Sequence, residues 1–176
     1  MFKIDVNDLS WLCATEDTSK DLCLHGNVVA YIGEKKLEYE ATVSATALYL
    51  LKSLTENHLI YEDNQMLPCC GFTLIADDKL ENVVISGCPN GIDWSIIHEK
   101  KNVRLILDDG VQTLIPIREY KKEVLQFVDK IEQFYESSKP KKLPEDEFER
   151  NGYIAFWNEW KRRKAESIQV SGDIPV

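Results

Sequence analysis

An alternating pattern of apolar and polar side chains predicts a β-hairpin early in the chain. Residues 23–32 alternate along their length, and one face is formed by Leu24, Val28, Ala30 and Ile32. This two-residue period is typical of a strand with one buried face. Residues 33–36 are polar and predict a turn, and residues 37–43 return as a second strand. We therefore expect a hairpin over residues 22–43.

An apolar helix is predicted directly after this hairpin. Residues 45–57 are rich in Ala and Leu and contain neither Gly nor Pro. Apolar side chains occupy most of the helix circumference, which favours a helix that is buried on more than one side. Ser44 is the expected N-cap residue. His58 follows the expected helix end, where it is a candidate cap.

Five short strand-like runs follow one another between residues 72 and 117. Their spacing favours an antiparallel β-meander. The runs cover residues 72–76, 83–86, 92–98, 103–107 and 111–117. Asp109 and Gly110 tolerate positive φ angles and therefore predict a two-residue hairpin turn. Such a turn places Leu105 opposite Leu114, whereas a slip of one residue reverses which face is buried.

The C-terminal third has helical periodicity. Residues 118–136 carry one apolar stripe, formed by Tyr120, Val124, Phe127, Val128, Ile131, Phe134 and Tyr135. Residues 137–144 contain two prolines and predict a connector. A last helix is expected from residue 145, with acidic residues in its first turn and the basic cluster 161–164 in its last turn.

These elements together predict an α+β fold, in which helices pack on an antiparallel β-meander sheet. We expect a single domain over residues 1–170, with a sheet-rich acidic part (1–116) and a helical part (117–168). Residues 171–176 are expected to form a frayed tail. No segment has the apolar length that a transmembrane helix requires.

Charge narrows the function classes. The 176 residues include 21 Lys or Arg and 30 Asp or Glu, and the formal net charge is −9. Residues 1–116 hold 9 basic and 18 acidic side chains, whereas the remainder holds 12 of each. This balance argues against a nucleic-acid partner and favours a basic protein partner. Because the start of the chain resembles a charged strand and not a signal peptide, we expect a cytoplasmic protein without a membrane partner.

Three cysteines suggest an alternative chemistry. The five cysteines are expected to be reduced, because no export signal is apparent. Closure of the 72–86 hairpin would bring Cys70 close to Cys88, and Cys69 precedes Cys70. With His25 or His98 these thiols could complete a tetrahedral zinc site. Two hypotheses compete with a zinc site here: small buried thiols at strand ends, and a cysteine nucleophile activated by a histidine. The spacing matches no known signature of either metal site or hydrolase.

The candidate binding residues form two groups, namely Asp93, Trp94 and His98 in one strand and Trp157 and Trp160 in the last helix. Alternation in the 92–98 strand puts Trp94 and His98 on one face and Asp93 on the other, so the two rings could line a pocket. In the last helix one face is formed by Tyr153, Phe156, Trp157 and Trp160, and Trp157 and Trp160 are candidates for docking a partner. The alternative for both groups is packing within the chain itself.

The sequence therefore predicts an acidic, cytoplasmic protein-binding module. An immunity-type inhibitor of a basic protein is one form of this hypothesis, by analogy of class alone. The alternative is a thiol- or zinc-dependent protein centred on Cys69, Cys70 and Cys88 with a histidine. No catalytic residue and no cofactor is assigned.

Overall fold

The first three strands form one antiparallel sheet. β1 (Phe2–Trp11), β2 (Leu24–Ile32) and β3 (Lys35–Thr42) lie in the order β1-β2-β3. The predicted hairpin is confirmed, with a two-residue turn that contains Gly33 at a φ of 64°. The second strand of the hairpin begins at Lys35, earlier than the sequence suggested.

The computed structural model describes residues 1–13, 16–61, 64–71 and 73–169. Within these residues the chain is a single α+β domain with antiparallel sheets and three helices, as the fold class predicted. None of those helices combines the length and apolar composition that crossing a bilayer requires. The tail predicted at residues 171–176 lies outside the described residues.

Helix α1 (Val43–Lys52) continues directly from β3. Eight of its ten residues are buried, which confirms a helix enclosed on several sides. Two details differ from the prediction. The helix ends at Lys52 and not at residue 57, and its N-cap is Thr42. The Ser44 hydroxyl accepts a hydrogen bond from the Leu24 N–H at 2.9 Å and contacts the Tyr135 hydroxyl at 2.8 Å, because burial gives it tertiary partners.

The strands between residues 67 and 116 are divided among three further sheets, where the sequence suggested one continuous meander. β4 (Leu67–Pro68) pairs with β7 (Gly91–Ile92), and β5 (Thr73–Ala76) pairs with β6 (Val83–Ser86). The last three strands do form a meander, in the order β10-β9-β8. They are β8 (Ser95–Glu99), β9 (Asn102–Ile106) and β10 (Gln112–Pro116).

The β9–β10 loop has three residues, so the predicted register is wrong by one position. Leu105 lies opposite Thr113 and not Leu114. The Leu107 N–H donates to the Val111 carbonyl at 2.9 Å, and only Gly110 has a positive φ, of 82°. A type I turn followed by a left-handed glycine satisfies the same sequence as the two-residue turn. The slip leaves Leu114 half exposed.

The two C-terminal helices cover the sheets. α2 (Ile117–Ser137) packs on β1 and α1, and α3 (Glu147–Gln169) packs on β5. The predicted stripe of α2 is confirmed, with Phe134 only partly buried. α3 begins after Asp146, whose carboxylate accepts the Glu149 N–H at 3.0 Å. The basic cluster 161–164 lies inside this helix and not in its last turn, because α3 extends to residue 169.

Candidate metal centre

Two antiparallel segments of the chain are joined by a β-ladder at each end of a short irregular stretch. β4 pairs with β7 at Leu67↔Ile92, and β5 pairs with β6 at Thr73↔Ser86. Five residues lie between the paired positions on each segment, so the two ladders share one register. Cysteines occupy the irregular stretch on both segments, which is why residues distant in sequence meet there.

Two glycines allow the segments to approach closely in this stretch. Gly71 has a φ of 97°, and a Cβ atom at this position would lie 2.1 Å from the Gly87 Cα. A Cβ atom on Gly87 would lie 2.4 Å from the Cys70 carbonyl oxygen. Any other residue at either position would push the segments apart. The glycines therefore set the spacing of the cysteines beside them.

The three candidate cysteines converge. The sulfur atoms of Cys70 and Cys88 are 2.8 Å apart, as hairpin closure predicted. Together with the Cys69 sulfur they all lie within 4.8 Å of one another. Zn–S bonds of about 2.3 Å in tetrahedral geometry put sulfur atoms about 3.8 Å apart. The sulfur atoms of Cys70 and Cys88 are therefore about 1 Å closer than that spacing and would have to separate to bind one metal ion.

A hydrogen bond between the thiols of Cys70 and Cys88 shifts the pKa values of the two groups in opposite directions. The Cys70 thiol donates to the Cys88 sulfur, which raises the pKa of Cys70 to about 11. The same bond, with help from the Asn90 backbone N–H, lowers the pKa of Cys88. Metal ions bind the thiolate form of cysteine. Because its pKa is the lower of the two, Cys88 forms a thiolate more readily than Cys70.

The three thiols are accessible to solvent. Cys70 is exposed, and Cys69 and Cys88 are half-buried. Cys69 also raises the pKa of Tyr39 in β3, which lies beside it. Sequence patterns gave no signal for Tyr39, because it is 30 residues from Cys69 and only the packing of β3 against β4, which belong to different sheets, brings the two together.

His25 faces the same cleft as Cys70 but does not belong to the group of three sulfurs. Its Nε2 atom lies 3.4 Å from the sulfur of Cys23. Burial lowers the pKa of His25, which favours the neutral imidazole. Burial also raises the pKa of Cys23 to about 12, so Cys23 remains a thiol at neutral pH.

The other histidines have structural partners. His98 Nε2 lies 3.0 Å from the Ser53 carbonyl oxygen, and its backbone N–H donates to Asn57. His58, expected as a helix cap, contacts the Asp93 carboxylate at 2.7 Å. That carboxylate also accepts the Met66 and Trp94 N–H groups. Asp93 thus interrupts the predicted 92–98 strand and anchors two loops.

The candidate binding tryptophans lie in or beside the core. Trp94 and Trp160 are completely buried, so neither offers surface to a partner of the folded chain. Trp157 is partly buried and meets the Tyr135 ring edge-on, with centroids 5.0 Å apart. Through these contacts the aromatic face of α3 packs against α2.

A cleft of about 970 Å³ lies beside the cysteines, between the start of β2, β5 and the N-terminus of α3. Its lining includes Cys70, Cys23 and His25. It also includes Leu12 and Phe148, which are 69% and 53% exposed. The cleft gives a bound molecule direct access to the Cys70 thiol.

Part of the acidic surplus is neutralised locally. Carboxylates in the acidic part of the chain (residues 1–116) form ion pairs within 3 Å, namely Asp5–Lys130, Asp17–Lys141, Glu38–Lys36, Glu99–Arg104 and Asp109–Lys35. Asp77 instead accepts hydrogen bonds from Glu81 and Asn82 within its own turn. Turn formation and surface pairing therefore account for these acidic positions.

Comparison of the chain with known protein families, curated proteins and solved structures finds no match.

Proposed function

We propose that this protein binds a thiophilic metal ion, with Zn²⁺ as the first candidate, through Cys69, Cys70 and Cys88. The observation that carries the proposal is the convergence of three sulfur atoms within 4.8 Å. Three thiolates supply three of the four positions of tetrahedral zinc. The fourth position would then be open to water or to a molecule in the adjoining cleft.

Exposure of the cysteines supports a metal site over simple core packing. Cysteines that act as small apolar side chains are usually buried, whereas Cys70 is exposed and its two neighbours are half-buried. Thiols placed together in contact with solvent contribute little apolar burial. Their shared position, fixed by the contact between Gly71 and Gly87, suits coordination instead.

A histidine-activated cysteine nucleophile is less well supported. Such a nucleophile needs a lowered thiol pKa beside its histidine. Cys23, the thiol in contact with His25, has its pKa raised to about 12 by burial. Because this pair holds a neutral thiol and a neutral imidazole, we assign no catalytic residue.

Metal titration of the reduced, metal-free protein tests the proposal. Co²⁺, which reports thiolate ligands by charge-transfer absorption, should bind with one equivalent and be displaced by Zn²⁺. Cys88→Ser should abolish the absorption. Cys13→Ser, which changes an exposed thiol outside the trio, is the matched control and should leave it intact. Absence of stoichiometric binding, or equal effects of both variants, would overturn the proposal.

A second candidate function, a protein-binding module for a basic partner, is favoured by the cleft. Leu12 and Phe148 expose apolar surface at its rim, and acidic residues outnumber basic ones in its lining, with Asp21, Asp146 and Glu149 against Lys20. An apolar surface with acidic neighbours suits an apolar segment flanked by basic residues. We propose the cytoplasm as the location of the metal-binding function, since metal coordination requires reduced cysteines.

Affinity capture with matched variants tests this second function. A partner should be retained by the native chain, released by salt, and lost from a Leu12→Ser, Phe148→Ser double variant. An Ile75→Ser, Val84→Ser double variant also removes two exposed apolar side chains, from the β5–β6 hairpin, and should retain the partner. If the cleft variant retains it as well, the cleft is not the docking site.

A further inference from the structure

We propose that Cys70 and Cys88 are also a site of reversible disulfide formation, which a peroxide or another two-electron oxidant converts to a disulfide. The bond itself is inferred from the geometry of the two thiols. Its consequence for a bound metal rests on the proposed function. The chain would therefore alternate between a reduced form that binds metal and an oxidised form that does not.

The two sulfur atoms need little movement to bond. They are 2.8 Å apart, and a disulfide bond of about 2.05 Å shortens that distance by about 0.8 Å. The two residues lie on adjacent antiparallel segments, next to the glycines whose backbones are in contact. A pre-positioned pair of this kind can be joined without separating the ladders on either side.

Cys70 and Cys88 are favoured over the other pairs of thiols. A bond between the sequence neighbours Cys69 and Cys70 would be strained, because adjacent side chains diverge. Cys69 lies beside Tyr39. Cys23 is half-buried, and its sulfur lies 3.4 Å from the His25 Nε2 atom. Oxidants in solution reach Cys70 first, since it is the exposed member of the group.

The chemistry balances with hydrogen peroxide as the oxidant. One thiolate attacks a peroxide oxygen, the O–O bond breaks, and a sulfenic acid and hydroxide form. The second thiol then attacks the sulfenic sulfur, which forms the S–S bond and releases the sulfenic oxygen as water, while hydroxide takes the remaining proton. Two thiols and one peroxide thus become one disulfide and two water molecules. A dithiol reductant reverses the change by thiol–disulfide exchange.

Oxidation would remove the metal without dismantling the fold. The disulfide uses two of the three sulfur ligands and leaves Cys69 alone, which is insufficient to hold Zn²⁺. The loop that it closes contains the β5–β6 hairpin, already joined by its own ladder. Metal release is therefore the expected consequence, with the secondary structure unchanged.

Peptide mapping of the full chain tests the bond directly. The metal-free protein, treated with one equivalent of hydrogen peroxide, should lose two hydrogen atoms in mass and yield a Cys70–Cys88 cross-linked peptide. Dithiothreitol should restore both thiols. Cys69→Ser should still form the cross-link, and Cys70→Ser should not. Recovery of sulfinic acid alone, of another pairing, or of unmodified thiols would overturn the inference.

The same treatment of the Zn²⁺-loaded protein separates the two proposals. Zinc should be released in proportion to the disulfide formed. If the cross-link forms in a chain that never binds zinc, the metal proposal fails and the disulfide stands. If zinc binds but peroxide yields no cross-link with or without metal, the disulfide inference fails and the metal proposal stands.

Discussion

Glu159 in α3 accepts a hydrogen bond from the backbone N–H of Val83 in β6, at an N···O distance of 2.8 Å. The carboxylate is almost completely buried and also pairs with Arg163 at 2.7 Å. Lys52 from α1 approaches it at 3.4 Å. One side chain therefore links α1, α3 and the hairpin that carries the cysteine site.

Replacement of Glu159 by alanine should strongly destabilise the fold. The change leaves the Val83 N–H without its acceptor. It also removes one of the carboxylates that neutralise the buried Arg163 guanidinium. Together these losses should lower the free energy of unfolding by about 3–5 kcal/mol. Glu166→Ala, which removes an exposed partner of Arg162, is the control and should cost less than about 1 kcal/mol. Urea denaturation measures both. Equal midpoints would contradict the role given to Glu159.

Replacement of Gly71 by alanine should damage the cysteine site specifically. Both Gly71 and Gly110 have positive φ angles, which cost alanine about 1–2 kcal/mol. Only at Gly71 does the new Cβ meet backbone, whereas nothing lies within 4 Å of it at Gly110. Gly71→Ala should therefore lose about 1–3 kcal/mol more than Gly110→Ala. It should also lose Co²⁺ binding, which the Gly110 variant should keep.

Burial of Tyr120 makes stability sensitive to alkaline pH. Burial raises the pKa of Tyr120 above its ordinary value, although a hydrogen bond with Ser53 lowers it slightly. The folded state therefore retains the proton longer than the unfolded chain, whose tyrosines ionise near about pH 10. This contribution to stability is complete below that pH and is lost as the pH rises above it.

Two tyrosine variants isolate this effect. Tyr120→Phe should flatten the fall in the free energy of unfolding above about pH 10, after allowance for a loss of about 1 kcal/mol at neutral pH from the missing hydrogen bond. Tyr61→Phe, at a side chain that is 87% exposed, should leave the profile unchanged. Denaturant titrations across the alkaline range measure it, and parallel profiles for all three proteins would refute the assignment.

Truncation of the Trp160 side chain should lower the stability of the fold. Trp160 is completely buried against Phe156 and Trp157, so Trp160→Ala should cost about 3–5 kcal/mol. Phe148→Ala in the same helix removes a mostly exposed ring and should cost about 1 kcal/mol or less. Thermal unfolding distinguishes them. A Trp160 variant as stable as the native chain would show that its packing was overestimated.

Local patterns were sufficient for most elements. The apolar stripe of α2 and the alternation of β2 depend on the period of one element packed on one face, and this period is visible in sequence. The sequence was less informative where two local conformations fit it almost equally well. Asp108-Asp109-Gly110 permits both a two-residue and a three-residue loop, and the three-residue loop is the one that buries Ile115 and leaves Leu114 exposed. Burial likewise gave the Ser44 hydroxyl tertiary partners instead of a capping role.

The sequence by itself determined the α+β class and the meeting of Cys70 with Cys88, because a hairpin must close between them. Only the tertiary structure decided the rest of the site. It placed Cys69 near the other two sulfurs, brought Tyr39 to Cys69, and separated His98 from all of them. It also buried Trp94 and Trp160 in the core. Periodicity shows which face of an element is apolar, but which groups meet depends on how whole elements pack, and spacing along the chain does not contain that information.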